Sequence, residues 1–201
     1  MDVYLINLDR REDRLKSFQM GAKLAGVTFK RIQAVDGKLL NTKDYWLTKY
    51  NNIDRWRYLK RGEIASYLSH FRAFEDSTKD TIMVFEDDAK LPYDFWWRYN
   101  IATQHLPDDW DIALLGTTSL WKRKYKQRCH LKWENNYWSR YEGDIYGLQG
   151  YIVKREAIQF LKDCKFPIDA PNDVKFSNLG LNVYVIKEDL VATYRLGSDS
   201  Q

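Results

Sequence analysis

The chain begins with short apolar runs that alternate with longer segments in which apolar residues recur at helical spacing. Residues 3–8 are uncharged and mostly apolar, a pattern typical of a buried strand. From Glu12 the apolar positions step at helical spacing until Gly26, which predicts an amphipathic helix followed by a glycine C-cap. A second strand is predicted within residues 27–35, before the turn dipeptide Asp36–Gly37. This β-α-β order predicts parallel strands connected by a right-handed crossover.

The same alternation continues along the rest of the chain. Residues 63–76 carry an apolar stripe and an adjacent polar stripe that contains Glu63, Ser66 and His70, as on a helix with one buried face. Further strands are predicted at residues 81–85, 111–116, 144–153, 182–186 and 190–194, and further helices at residues 93–99, 154–161 and after Pro171. Residues 121–142 mix basic and aromatic side chains without regular alternation, which indicates a loop or hairpin. Strands that alternate with helices predict an α/β fold.

Composition narrows the class of protein. The 201 residues include 44% hydrophobic side chains and four prolines, which suits one α/β domain and argues against disorder. We expect a single domain over residues 1–201, either complete or cut from a longer protein. Cys129 and Cys164 form no CxxC pair, which favours a reducing, cytoplasmic setting over a thiolate zinc site.

Charge and hydropathy add two expectations about location. The sequence has no recognisable signal peptide and no apolar run long enough to span a membrane. The net charge of +4 suits anionic substrates. Peripheral contact with an acidic membrane surface stays open as an alternative to a purely cytoplasmic location.

The most informative polar feature is the acidic triplet Glu86, Asp87 and Asp88, which follows the predicted strand at residues 81–85. Open α/β sheets bind their ligands at the carboxyl ends of strands. Three adjacent carboxylates repel one another unless a cation or water screens them. Two interpretations are equally consistent with these residues: a divalent-cation site that neutralises nucleotide phosphates, or an acidic turn before the next helix.

A second polar cluster follows the first predicted strand. Asn7 and Asp9 could hydrogen-bond a nucleoside there, and Arg10 or Arg14 could contact phosphate, because this strand end lies at the ligand-binding edge of the sheet. Arg11 fits a solvated first turn of the helix better than a ligand contact. His70 fits a satisfied, half-buried histidine better than a catalytic one.

Several of these landmarks occur in an order that resembles glycosyltransferase family 25, which includes lipooligosaccharide and procollagen β-galactosyltransferases. The resemblance extends over about residues 3–190, and no single motif in it is specific. The matching segments are residues 4–9 with Arg10, Arg11 and Arg14, then residues 34–37, 62–70, 84–88, 150–153 and 167–169.

The resemblance implies a GT-A-like α/β domain with a mostly parallel, Rossmann-like central sheet flanked by helices. It further implies metal-dependent, inverting transfer from a nucleotide sugar, most commonly a UDP-sugar, to a glycan or glycoconjugate hydroxyl. Glu86 and Asp88 then correspond to ligands of Mn²⁺ or Mg²⁺, and Asp87 is expected to face the ribose. The implied donor-binding residues are Asn7, Asp9, Arg10, Arg14, Asp36, Gly37, Glu63, Ser66, His70 and Asp87.

An inverting mechanism needs a general base to take the proton of the acceptor hydroxyl. By resemblance this base is Asp169, and Asp173 is its rival. Either acid could instead cap the helix after Pro171. All three histidines precede residue 131, so a metal ligand from a C-terminal histidine is missing. Water, another Asp, or a part of a longer parent protein would have to complete the coordination.

Two other functions remain alternatives. The basic and aromatic residues at 121–140 would suit a nucleic-acid-binding module, although the sequence shows no RNA-binding signature and we expect no nucleic-acid partner. The acidic triplet could also serve a metal-dependent phosphohydrolase, for which Asp9, Asp111 and Asp169 are only loose further ligands. An inactive family member that acts as a binding protein is also conceivable.

Overall fold

The computed structural model describes residues 1–41, 49–52, 55–118 and 128–193. A central sheet is built from eight strands, which are β1 Asp2–Asn7, β2 Lys30–Gln33, β5 Thr81–Glu86, β7 Ile112–Leu114, β8 Cys129–Glu134, β9 Trp138–Gly143, β10 Gly150–Lys154 and β11 Val183–Ile186. Two small ribbons pair β3 Lys49–Asn52 with β4 Arg55–Tyr58, and β6 Ala89–Lys90 with β12 Ala192–Thr193. The helices are α1 Glu12–Leu24, α2 Arg61–Asp76, α3 Phe95–Thr103, α4 Arg155–Asp163 and α5 Asn172–Asn178.

The central sheet is mixed, with one strand direction predominating. Its order is β2-β1-β5-β10-β7-β11-β9-β8. The pairs β1–β2, β1–β5 and β7–β11 are parallel, whereas β10 is antiparallel to both neighbours and β9 is antiparallel to β11 and β8. Among the described strands of this sheet, six therefore run one way and β9 and β10 run the other. The expected α/β class, with a predominantly parallel sheet flanked by helices, is confirmed.

Helices cover both faces of the sheet, because alternate residues of each buried strand point to opposite sides. On one face α2, α4 and α5 pack through residues such as Phe71, Leu161 and Phe176. On the other face α1 and α3 pack through residues such as Phe18 and Phe95. The result is a three-layer sandwich in which both faces of the central strands are buried, and this explains their nearly continuous apolar runs.

Several predicted boundaries change in the structure. The strand expected within residues 27–35 is confined to Lys30–Gln33, and the strand expected at residues 144–153 begins only at Gly150. Within residues 121–142 the expected hairpin forms as β8 and β9, which extend the central sheet. Its aromatic Trp138 is fully buried, so it serves packing. Residues 119–127 lie outside the described part of the chain.

The described helices include none that is both long enough and apolar enough to cross a membrane.

We predict that Phe176→Ala lowers the free energy of unfolding by about 3–5 kcal/mol, as expected for removing a buried aromatic ring. Phe176 is buried on α5 and its ring lies 5.9–6.2 Å from those of Tyr67, Phe71 and Phe74 on α2. Urea unfolding followed by circular dichroism measures the loss. Phe160→Ala is the matched control, because the Phe160 side chain on α4 is exposed. Similar losses in both variants would contradict this assignment.

Candidate active site

The ends of three neighbouring strands form one edge of the sheet, and the candidate site lies there. In the parallel pairing of β1 with β5, Ile6 is opposite Glu86, so Asn7 and Asp87 follow at the same level. In the antiparallel pairing of β10 with β5, Gly150 is opposite Phe85. The segment that leads into β10 therefore passes beside the acidic triplet. This arrangement confirms that the triplet lies at the carboxyl end of a buried strand.

Glu86 is the most accessible acid of the triplet for which a side-chain exposure is known, and a buried relay holds it. Its side chain is 33% exposed, and His70 Nε2 lies 3.1 Å from its Oε1. His70 Nδ1 lies 2.8 Å from the hydroxyl of Tyr151, and both of these side chains are fully buried. Burial, followed by the nearby Glu86 charge, raises the pKa of Tyr151 well above its ordinary value, so the phenol keeps its proton.

One neutral histidine tautomer satisfies every polar atom of this relay. Tyr151 donates to Nδ1 of His70, and the N–H of Nε2 donates to Glu86. A charged imidazole would instead use the Tyr151 oxygen as acceptor and leave the phenolic proton to seek another partner. We therefore assign His70 the neutral form. His70 was expected among the donor-binding residues, but it is buried and reaches the site through Glu86.

Asp87 points in the opposite direction, into the protein. Its Oδ2 accepts a hydrogen bond from Asn7 Nδ2 and its Oδ1 from Arg14 Nη1, each at 2.8 Å. The side chains of Arg14 and Asp87 are each only 8% exposed. Asn7 also donates to the carbonyl of Arg11 and accepts from Arg31. The structure thus gives Asn7, Arg14 and Asp87 a structural role in place of the expected contacts with nucleoside, phosphate and ribose.

Asp88 is the unusual member of the triplet. Its Oδ1 is buried and has no hydrogen-bond partner in the described part of the protein. Burial raises the pKa of Asp88 to about 7; the charges of Glu86 and Asp87 add to the rise, and Arg14 opposes it. A buried carboxyl oxygen without a partner is costly, and a divalent cation would satisfy it. Glu86 and Asp88 therefore have the chemistry that Mg²⁺ or Mn²⁺ requires.

The acidic edge nevertheless does not contain a complete set of protein ligands. Across residues 1–41, 49–52, 55–118 and 128–193, no three His, Cys, Asp or Glu side chains are arranged to hold one metal ion. Mg²⁺ commonly uses one or two carboxylates and takes its other ligands from water and substrate phosphates. Two carboxylates at this edge fit that pattern.

The two candidate bases occupy different environments. Asp173, on the first turn of α5, accepts hydrogen bonds from the backbone N–H of Gly147 at 3.0 Å and of Val174 at 2.8 Å. Burial raises its pKa to about 6; these N–H groups oppose the rise, and the charges of Glu86 and Glu63 add to it. Asp169 is half exposed and forms an ion pair with the buried Lys175 at 2.9 Å. Only Asp173 thus interacts electrostatically with the acidic edge.

The other expected donor-binding residues lie in two groups. Asp9 is exposed and pairs with Arg31 and Gln33 on β2, and Arg10 pairs with Asp36 at 2.8 Å. A Cβ on Gly37 would lie 2.9 Å from the Arg61 carbonyl oxygen, so this turn packs tightly on the start of α2.

The second group lies along α2. Glu63 pairs with Arg57 and accepts from the backbone of Lys60. Ser66 accepts a hydrogen bond from Asn172 at 3.2 Å, next to Asp173. The predicted polar stripe of α2 thus faces α5.

Sequence analysis missed three residues at this edge. Tyr151 holds His70, Gly147 binds Asp173 through its backbone, and Gln149 accepts a hydrogen bond from the Glu86 backbone at 3.1 Å. The only local signal was a polar glutamine and two glycines in an otherwise apolar segment. Gly147 adopts a φ of +110°, a conformation that favours glycine.

Comparison with known proteins gives a consistent family match. A family profile described as "Glycosyltransferase family 25 (LPS biosynthesis protein)" matches residues 1–175. Procollagen galactosyltransferase 2 of Homo sapiens is 28% identical over 175 residues, which are 80% of this chain and 27% of that protein. The inactive glycosyltransferase 25 family member 3 of Homo sapiens is 27% identical over 127 residues, 57% of this chain and 21% of that protein. The chain thus spans about a quarter of these relatives' length.

Two solved structures resemble the chain over most of its length. A197 from STIV covers 99% of this chain and 87% of its own, with a TM-score of 0.49 and 14% identity. The galactosyltransferase LgtC, in complex with donor and acceptor sugar analogues, covers 92% of this chain and 73% of its own, with a TM-score of 0.49 and 12% identity. At these values the family match alone carries the assignment.

We predict opposite stability effects for the adjacent variants Asp87→Asn and Asp88→Asn. Asp87→Asn removes the negative partner of the buried Arg14 and should cost about 3–5 kcal/mol. Asp88→Asn removes a carboxyl that folding disfavours in its charged form, so it should stabilise the EDTA-treated protein at pH 8. Because the pKa of Asp88 rises from 3.8 to about 7 in the folded state, wild-type stability falls between these pH values.

The stabilisation by Asp88→Asn should therefore appear as the pH rises from about 4 to 7 and then stay constant. Urea unfolding of both variants at pH 4, 6 and 8 measures it. Equal destabilisation by the two substitutions at pH 8 would contradict the separation of a structural acid from a site acid.

Proposed function

The chain belongs to glycosyltransferase family 25, and we propose that it transfers a hexose from a nucleotide sugar to a hydroxyl group of a glycan or glycoconjugate. The observation that carries this proposal is the buried, unpartnered Asp88 oxygen in the triplet that contains Glu86, at the strand-end edge of a chain matched by the family. A UDP-sugar is the donor to test first, and galactose is suggested by the names of the procollagen galactosyltransferase relatives.

Glu86 and Asp88 are the residues that would hold a divalent cation, either Mn²⁺ or Mg²⁺. Such a cation supplies Lewis-acid stabilisation of the negative charge on a departing diphosphate. His70 and Tyr151 fix the rotamer of Glu86 through the buried relay. Asp87 fixes the backbone between the two ligands through Asn7 and Arg14. The chain's own contribution is thus to hold two oxygen ligands ready at one edge.

Asp173 is our choice for the general base of an inverting transfer. In this reaction the acceptor oxygen bonds to the anomeric carbon, the bond from that carbon to the diphosphate breaks, and the hydroxyl proton passes to the base. A base works best when its pKa is near the working pH, and burial raises the pKa of Asp173 to about 6. Asp169 has Lys175 as its ion-pair partner and remains the rival.

Family membership alone does not guarantee catalysis, since one of the relatives is described as inactive. The Glu86–Asp88 pair and the raised pKa values of Asp88 and Asp173 are features that a folded but inactive protein does not need. They favour a working site over a binding protein that has lost its chemistry. Direct measurement of nucleotide binding and of transfer separates these cases.

We predict that UDP, and more strongly a UDP-hexose, raises the melting temperature of the protein in the presence of Mn²⁺. Ligands that bind only the folded state stabilise by mass action, about 2.7 kcal/mol at a hundredfold excess over Kd. A thermal-shift panel of UDP, GDP and CMP, each free and sugar-linked, with Mn²⁺ or EDTA, measures this effect. Asp88→Asn should remove the Mn²⁺-dependent part. A flat response to all of these nucleotides would contradict the proposed function.

We predict that Asp173→Asn lowers kcat for sugar transfer by about a hundredfold or more, the usual contribution of a general base. Binding of UDP and Mn²⁺, measured by thermal shift, should change little, which also shows that the variant folds. Asp169→Asn is the matched comparison four residues away, and we expect it to retain most of the wild-type kcat. Retained kcat in Asp173→Asn together with its loss in Asp169→Asn would transfer the role to Asp169.

A further inference from the structure

Two buried side chains beside the acidic edge have polar atoms without partners. Within the described ranges, Oε1 and Nε2 of Gln149 and Oγ1 of Thr117 make no hydrogen bond. Gln149 is only 2% exposed and Thr117 only 4%. Nearly all buried polar groups in folded proteins are paired, and an unpaired one lowers stability. Their presence at this place therefore asks for a ligand.

Gln149 lies between the two acids that we assign to the reaction. Its backbone carbonyl accepts the Glu86 N–H at 3.1 Å. Two residues earlier, the N–H of Gly147 donates to Asp173 at 3.0 Å. Gln149 therefore immediately precedes β10, at the edge where a cation at Glu86 and Asp88 and a base at Asp173 would act.

Thr117 reaches the same region from the neighbouring strand. β7 pairs with β10 through Leu114 and Tyr151, and Thr117 follows the end of β7 by three residues. Its backbone N–H donates to Asp189 at 3.2 Å, which fixes the main chain while Oγ1 keeps no partner. Thr117 and Gln149 thus follow and precede adjacent strands at one edge of the sheet.

Two glycines lie against the Gln149 amide. A Cβ on Gly147 would lie 2.6 Å from Oε1, and a Cβ on Gly116 would lie 3.2 Å from Nε2. Any side chain at Gly147 would collide with this amide, and one at Gly116 would crowd it and collide with the Val191 carbonyl oxygen, 2.0 Å away. Glycine is typical of places where backbone must approach another group closely. The surroundings of the amide are therefore bare backbone rather than competing polar side chains.

We propose that Gln149 and Thr117 bind ring hydroxyl groups of the donor sugar and thereby select it, an inference that rests on the proposed function. A sugar hydroxyl both donates and accepts, as do the primary amide of Gln149 and the hydroxyl of Thr117. Both side chains are neutral, which suits a neutral hexose better than a phosphate. Because the hexose is bonded directly to the diphosphate, it lies next to the groups that hold that diphosphate.

The binding of a sugar hydroxyl by such groups gives strong selectivity. A site that hydrogen-bonds a substrate hydroxyl rejects an analogue without it, because the buried polar group is then left unpaired. The alternative occupant is a buried water that bridges the two side chains. A structural water and a sugar hydroxyl predict different outcomes when the polar atoms are removed without a change of shape.

The test uses Thr117→Val and Gln149→Met, which keep size and remove the hydrogen-bonding groups. With Mn²⁺, the wild-type protein should gain more thermal stability from UDP-galactose or UDP-glucose than from UDP. Each variant should keep the response to UDP and show twofold to tenfold weaker binding of the preferred UDP-hexose, about the effect of one neutral hydrogen bond. The melting temperature without ligand should stay the same or rise, because an unpaired buried group is removed.

A series of UDP-deoxyhexoses, each without one ring hydroxyl, gives the second measurement. The wild-type protein should discriminate against one or two members of the series, and the matching variant should lose that discrimination. A purely structural role cannot produce this pairing. Thr103→Val and Gln159→Met are the matched controls, because their side chains bond within α3 and α4, and neither should change hexose binding.

The outcomes separate the two proposals. If no nucleotide or nucleotide sugar stabilises the wild-type protein, the proposed function fails and this inference fails with it. If the wild-type protein distinguishes UDP-hexose from UDP, but Thr117→Val and Gln149→Met keep the full difference, only the inference is overturned. A fall in melting temperature of both variants without ligand, at unchanged hexose binding, identifies a structural water and overturns it as well.

Discussion

The buried ion pair between Arg14 and Asp87 is the interaction on which the arrangement of the site depends. It joins α1 to the end of β5, and Asn7 adds the end of β1 to the same contact. A buried charge requires a close partner of opposite sign, so the position of Asp87 is strongly determined. With Asp87 pointing inward, Glu86 and Asp88 on either side are left for the site. One structural contact thus separates a triplet of similar acids into different roles.

The remaining acids create an electrostatic problem that the fold does not resolve by itself. Glu86, Asp88, Asp173 and Glu63 influence one another, and the pKa values of Asp88 and Asp173 rise to about 7 and about 6. Burial is the largest cause in both cases, so the protein has placed carboxyl groups where their charged forms are disfavoured. Such an arrangement reduces stability and is typical of functional sites. A cation would relieve it at Asp88, whereas Asp173 benefits from a raised proton affinity.

Much of the local structure could be predicted from the sequence, because apolar periodicity is a local property. The first strand, the helix after Glu12, the helix of residues 63–76 and the strand before Glu86 were predicted close to their final bounds. The direction of β10 was not, since a short apolar run has the same pattern in parallel and antiparallel pairs. That direction is decisive, because it brings the residues before Gly150 to the carboxyl end of β5.

Side-chain roles were less predictable, because they depend on partners that are distant in sequence. His70 lay on a polar stripe and was expected to be half buried, yet Tyr151 and Glu86 satisfy both ring nitrogens and allow full burial. Asp87 could not be separated from its neighbours without knowledge of Arg14, which lies 73 residues away. Gln149 shows the reverse situation, since the fold buries its amide and gives it no partner. Where a fold satisfies almost every buried polar atom, one that it leaves unsatisfied at the active edge indicates what the substrate must supply.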